Sequence, residues 1–309
     1  MLFPFNEKSY KVNGVKRDGY HQVSREPMNT FPEIALDIGQ YIDTFVNWLT
    51  DNLGFVFDAL SEAIIWSFQL SSSILLWLPW WVIIAIVFLL GWRLIRLRTG
   101  VIFAVFIFLI GAFGYWELMM DTVSIILASV LISLIIGIPV GILMAYKDRF
   151  ERLMKPILDA MQTMPTFVYL IPAMMLFGLG VVPGMFATII YAIPPVIRLT
   201  NLAIRNVSKD MVEAADSFGS STSQVLFKVQ LPQALPTIMT GINQTTMMAL
   251  AMVVVASMVG AQGLGLEVLS ALQQIDIATG FEAGISIVFL AIILDRLSQS
   301  VAEKYKYTD

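Results

Sequence analysis

Seven stretches of this chain are long and apolar enough to read as membrane-crossing helices: about 76–95, 100–117, 121–146, 165–180, 184–202, 237–259 and 281–300. A helix needs about 20 apolar residues to cross a bilayer. Inside the bilayer every backbone N–H and C=O must find its partner within the protein, so only helices and closed barrels cross. Barrel strands would show as segments of about 10 residues with strict alternation, a pattern not found here. Hydrophobic residues make up 57% of the chain and charged residues 14%, where a soluble domain carries about 25% charged. The chain is therefore expected to be an all-α polytopic membrane protein.

The basic residues orient the spans. Arg93, Arg96 and Arg98 follow the first span, and Lys147, Arg149, Arg152 and Lys155 follow the third. Arg198, Arg205, Lys209 and Lys228 cluster around the end of the fifth, and Arg296, Lys304 and Lys306 around the end of the seventh. The alternate gaps, near 118–120, 181–183 and 260–280, hold none. Basic residues favour the cytoplasmic side, so seven spans put the C-terminus inside and the N-terminus outside. The discord is a tail with Lys8, Lys11, Lys16, Arg17 and Arg25. An eighth span at 59–75 would bring that tail inside, and it stays open as an alternative.

Four regions follow: a polar tail at 1–32, amphipathic or interfacial helices at 33–75, two accessory spans at 76–117, and a core at 118–309 with a cytoplasmic loop at 203–236. Between 33 and 58, Asp37, Gln40, Thr44, Asn47 and Asp51 recur at helical spacing, with Ile38, Ile42, Phe45 and Leu49 opposite. That pattern fits a helix lying in the membrane interface or packed on neighbouring protein. Glu62, Gln69 and a run of Ser make 59–75 a poor span, expected to be interfacial.

Several chemistries are excluded. With no Cys, disulfides, thiolate metal sites and Cys nucleophiles are absent. The one His, His21, lies in the polar tail, and no metal site or catalytic group is expected. The N-terminus lacks the basic-then-apolar pattern of a cleavable signal. The Gly-rich stretches FGLG (177–180) and AQGLG (261–265) do not open phosphate loops, and no G-x-x-x-x-G-K-[ST] occurs. ATP hydrolysis by that route must belong to another polypeptide.

Polar side chains inside the spans are candidates for function. Asn243, Gln244, Thr245 and Thr246 fall within the sixth span. Unpaired amides there would cost several kcal/mol, roughly, so they must face protein or water. They either line a path for a small zwitterion or hydrogen-bond between helices. Phe167, Tyr169 and Tyr191 are candidate aromatic lining, since every Trp lies at or before Trp116. The many core Met residues, such as Met174, Met175, Met247, Met248 and Met252, suit pliable packing. Gly137 and Gly141 flank Pro139 in a G-x-x-x-G, which predicts close helix packing with a kink.

The loop at 203–236 is compact. Asp210 with Glu213, and Ser221 with Gln224, have the spacing of two capping boxes. MVEAADSF then reads as one short helix ended by Gly219, and QVLFKVQL as a second stopped by Pro232. Ala214 and Ala215 leave a bare surface beside Met211, Val212 and Phe218. From the residues alone, the loop either closes the bundle or offers a docking surface.

The spacing Glu213-Ala214-Ala215, three residues, Gly219, nine residues, Val229, one residue, Leu231-Pro232 resembles the EAA signature of ABC-importer permeases. Residues 161–180, 189–200 and 217–265 resemble the permeases of glycine betaine/proline betaine importers, a likeness extending over about 120–300. The resemblance implies a type I ABC importer transmembrane fold and coupling helices that dock in a groove of an ATPase. Glu213 would then be a helix cap or a partner for a basic ATPase residue. It further implies a homodimer, two ATP-binding subunits carrying the ATP and Mg, and a separate extracytoplasmic binding protein. The chain itself would be a non-catalytic inner-membrane subunit with no cofactor of its own and no nucleic-acid partner. Its rivals are a permease for another small substrate such as an amino acid or choline, an osmotically gated channel, and, weakest, a membrane enzyme.

Overall fold

Helices of very different length carry this chain, and their lengths follow from where the apolar runs are broken. A computed structural model describes residues 38–304. His21 and the five basic residues of the tail lie outside the described residues. The elements are α1 (Ile38–Trp77), α2 (Trp80–Leu94), α3 (Leu97–Ala112), α4 (Trp116–Tyr146), α5 (Asp148–Thr163), α6 (Thr166–Phe177) and α7 (Val181–Arg205). Then come α8 (Lys209–Ser217), α9 (Thr222–Val225), a π-helical turn (Leu226–Gln230), α10 (Leu231–Ala251), α11 (Val253–Ser257), α12 (Leu264–Gln274) and α13 (Ile277–Lys304). Within the described residues, 45–304 fall in one compact unit.

Among the described residues, five segments are long and apolar enough to cross a membrane: Gly39–Trp77, Trp116–Tyr146, Val181–Arg205, Thr222–Ser257 and Ile277–Glu303. Residues 59–75 thus belong to a helix of spanning length. Non-helical backbone angles at Leu53 (φ −118°, ψ 16°) divide α1 into two parts. Its packed face runs through Val46 and Ile64, while Phe45, expected on the apolar face, is exposed.

Three expected spans change. Residues 80–94 and 97–112 are short apolar helices, about 22–24 Å long at 1.5 Å per residue. They form a hairpin in which Gly91 and Gly100 let the backbones touch: a Cβ on Gly100 would lie 2.6 Å from the Phe88 carbonyl oxygen. The Pro-interrupted run at 165–180 holds a helix shorter than expected. Its helix, α6, has 12 residues and bends 101° away from α5. The break falls at Met164-Pro165, where the proline disfavours helix in the residue before it, and Met164 is extended.

The centre is α7, packed against α4 on one side and α10 on the other. A Cβ on Gly137 would lie 2.5 Å from Val196 Cγ1, and one on Gly141 2.7 Å from the Ile197 carbonyl oxygen. The G-x-x-x-G is thus a helix-packing seam, and α4 runs through Pro139 as a continuous helix. Pro194 and Pro195 lie inside α7, buried among protein, which is where helix-breaking residues in spans are tolerated.

The Gly-rich stretches meet each other on the side opposite the basic loops. The Gly180 N–H donates to the Val259 carbonyl at 2.7 Å, and a Cβ on Gly260 would lie 3.2 Å from the Gly180 nitrogen. The gap at 260–280 is not a plain loop, because it contains α12. The α12 start is pinned by the Leu264 N–H donating to Thr122 Oγ1 at 2.8 Å.

Candidate functional site: the coupling loop and the polar membrane groups

The loop expected at 203–236 is two short helices around a glycine corner. Gly219 has φ +76°, a conformation that costs other residues about 1–2 kcal/mol. Its N–H donates to the Asp216 carbonyl at 2.9 Å, and the Ser220 N–H donates to Ala215 at 3.2 Å. Ser221 and Gln224 form the expected capping box, with Ser221 N–H on Gln224 Oε1 at 2.8 Å and Gln224 N–H on Ser221 Oγ at 3.3 Å.

Two expectations about this loop fail. Asp210 and Glu213 do not form a capping box: Ser208 is the N-cap, and Asp210 sits inside the first turn of α8. A carboxylate there still favours the helix through the partial positive charge of the N-terminus. Pro232 does not stop the second helix either. The chain widens into the π turn, with the Leu231 N–H donating to Leu226, and α10 runs on. Proline in the first turn of a helix loses no hydrogen bond the helix needs.

The loop has a seated face and an exposed face. Val212, Leu226 and Leu231 pack on a buried cluster of Ala203, Ile204, Val207, Ala234 and Ile238. Polar ties add to this: the Tyr146 hydroxyl donates to Gln230 Oε1, and Gln233 Nε2 reaches Met211 Sδ. Val229 is half-buried. Glu213, Ala214 and Pro232 are exposed and Ala215 is half-exposed. Phe218 is 91% and Phe227 66% exposed. These exposed rings make the outer face of the loop a candidate for contact with a partner.

A charged network, not read from the sequence, lies directly above. Arg205 Nη2 donates to Asp148 Oδ1 at 2.7 Å and to the Met144 carbonyl at 2.9 Å. It lies 3.1 Å from Glu151 Oε2, and Arg205 Nε donates to Asn201 Oδ1 at 3.0 Å. Asn201 Nδ2 donates to Glu151 Oε1 at 2.9 Å, and Lys155 Nζ lies 3.0 Å from the same oxygen. The hydrogen bond and charge of Arg205 hold Asp148 below the usual carboxylate range. Glu151 is held low by Asn201 first and then by Lys155.

The membrane candidates separate. Asn243 Nδ2 donates to Asp295 Oδ1 at 3.3 Å and its carbonyl accepts from Ser298, so Asn243 joins α10 to α13. Thr245 is fully buried, with no partner for its hydroxyl among the described residues. Thr246 bonds back to the Ile242 carbonyl at 2.9 Å. Gln244 is exposed, one turn beyond exposed Thr240. Tyr169 and Tyr191 meet edge to face at 6.1 Å, against Met252 and Met174. The Tyr169 hydroxyl donates to the Met161 carbonyl. Phe167 is 52% exposed and stands apart from that cluster.

Residues 137–307 match the family described as the binding-protein-dependent transport system inner membrane component. The chain belongs to that family. It is 45% identical to the glycine betaine transport system permease protein OpuAB of Bacillus subtilis (strain 168), over 90% of this chain and 98% of that protein. It is 47% identical to the glycine betaine/carnitine transport permease protein GbuB of Listeria monocytogenes serotype 1/2a (strain 10403S), over 90% and 99%. To the glycine betaine/proline betaine transport system permease protein ProW of Escherichia coli (strain K12) it is 42% identical, over 89% and 77%. Its fold is similar to that of an inward-facing MetNI methionine ABC transporter chain, with TM-score 0.55 and 19% identity, covering 60% of this chain and 93% of that one. The chain is therefore an inner-membrane permease subunit with the type I importer fold.

Proposed function

We propose that this permease carries glycine betaine or a related compatible solute inward, driven by ATP that a separate ATPase hydrolyses. Two copies of the chain form the pathway, two ATPases dock on the loops around Glu213–Pro232, and an extracytoplasmic binding protein delivers the solute. ATP and Mg reside on the ATPase. The single observation that carries this reading is the two-faced loop. Its inner face is seated on the ends of α7 and α10, and its outer face presents Phe218, Phe227 and Glu213. Burying one such ring in a partner groove would contribute about 1.5–3 kcal/mol. A rigid seat then passes the partner's motion into the spans. Full-length similarity to permeases named for glycine betaine supports the choice of solute.

The packing points to a pathway on the surface of this subunit. Close approach at Gly137, Gly141 and Gly241 packs α4 and α10 onto α7, which favours a path outside that seam. Gln244, exposed within α10, would be costly against lipid, so it faces water or the second copy. A betaine is a zwitterion, and a neutral amide suits it better than a fixed charge. Uptake of labelled glycine betaine into proteoliposomes holding this chain, its ATPase and its binding protein tests the reading. Uptake is expected only with ATP on the ATPase side. ATP-independent flux would indicate a channel, and stimulated hydrolysis without betaine uptake would indicate a different solute.

A further inference from the structure

The coupling loop must move something beyond its own seat, and the charged network above it shows a route. Arg205 is the last residue of α7, and α8 begins four residues later at Lys209. Its guanidinium joins the end of α4 through the Met144 carbonyl, the start of α5 through Asp148 and Glu151, and α7 itself through Asn201. Part of the network is enclosed, with the Glu151 side chain 13% exposed and Asn201 buried, while Asp148 and Lys155 at its edge are exposed. Arg205 and Glu213 also share the wall of a 230 Å³ cavity between α8 and the ends of α4 and α7.

From there α5 acts as a stiff lever. Leu158 is fully buried and ties its middle to Ile193, Val196 and Ile197 of α7. Asp159 pairs with Arg198. At its far end the Met161 carbonyl accepts the Tyr169 hydroxyl, just before the 101° bend into α6. Tyr169 in turn contacts Tyr191. Residues 206–208 join Arg205 to the loop through the chain itself, and from Arg205 a series of hydrogen bonds, packed side chains and one helix runs to the aromatic pair.

We propose that Arg205 is a positioning residue that makes α5 move with the coupling loop, so that the loop's displacement resets the Tyr169–Tyr191 pair. The proposal rests on the importer reading above. Arg suits this place because its planar fork serves several acceptors at once. Lysine offers a single ammonium and cannot hold the same set.

The test uses the full complex in proteoliposomes and reads betaine taken up per ATP hydrolysed. Arg205→Lys is expected to insert and hydrolyse ATP, with that ratio reduced at least about threefold. Glu151→Gln keeps the side-chain shape and is expected to lower the ratio in the same direction. A purely structural role would instead lower the amount of protein, or both rates together. The chain has no Cys, so within it Glu151→Cys and Asn201→Cys can be bridged specifically by a short bis-methanethiosulfonate, each thiolate displacing a sulfinate to form a disulfide. Bridging is expected to raise the ratio in the Arg205→Lys background, because a covalent tie replaces the ionic one. An unchanged ratio in both single variants, or a bridge that lowers the ratio further, would overturn the proposal. Absence of ATP-dependent uptake in the unaltered complex would instead count against the importer reading itself.

Discussion

At the residue scale, three positions make contrasting demands. Gly219 needs its conformation but has nothing within 4 Å of a would-be Cβ. Gly219→Asn is therefore expected to keep ATP-coupled uptake, because Asn tolerates the left-handed region. Gly219→Val should insert normally yet lose uptake per ATP, the corner being strained by about 1–2 kcal/mol. Equal uptake by both variants would show that the corner's geometry does not matter for coupling. Gly141 needs space instead, since a Cβ would lie 2.6 Å from Thr200 Cβ. Gly141→Ala should lower the unfolding temperature in detergent, with overpacking costing about 1–3 kcal/mol. Gln244 is the third. In the Cys-free chain, Gln244→Cys should react with a membrane-impermeant thiol reagent, while Ile135→Cys, on the exposed apolar face of α4, should not. Protection of Gln244→Cys in every transport state would remove it from the aqueous path.

At the element scale, the π turn sets how the coupling loop is registered on α10. Deleting one residue from Leu226–Gln230 would rotate α10 relative to α9 by about 100°, turning Asn243 away from Asp295. Uptake is expected to fail while ATPase binding to α8 survives, and co-purification with the ATPase checks the second half. The α5–α7 network carries a pH signature. Asp148 and Glu151 have lowered pKa values in the folded protein, so their stabilisation is complete above the unfolded carboxylate range, about pH 4. It is lost as pH falls through the lower folded values. Glu151→Gln should therefore unfold at a lower temperature than the wild type near pH 7, and the gap should close below about pH 4. A gap that persists in acid would mean that the Glu151 charge contributes nothing.

At the scale of the whole molecule, the glycine seams give α4, α7 and α10 a solid centre, and what varies lies around it. The short α2–α3 hairpin packs beside the α12–α13 region through Phe103, Ile107, Leu264 and Leu290. The bent α5–α6 pair and the coupling loop occupy the other flanks. On the proposed surface pathway, a second copy would complete the route. In detergent the permease is accordingly expected at about twice its 34.4 kDa chain mass, where symmetric dimers are the commonest assembly.

The class and the two short helices around Gly219 were legible in the sequence. Apolar run length, the placement of Lys and Arg, and the fixed spacing from Glu213 to Pro232 are one-dimensional signals, and physics reads them one-dimensionally. The sequence alone mislocated the Asp210 cap and the stop at Pro232, and it overestimated the helix at 165–180, which has 12 residues, because those outcomes depend on how a chain reroutes hydrogen bonds around a proline or a competing cap. Only tertiary structure could separate Asn243, Gln244, Thr245 and Thr246. They are adjacent in sequence, but each helical step turns by about 100°, so one meets α13, one is exposed, one is buried and one bonds back to its own helix. The Arg205 network was invisible for the same reason. Its members lie some 50 residues apart, as Asn201 and Glu151 do, and nothing in either stretch marks the other until α5 and α7 are packed together.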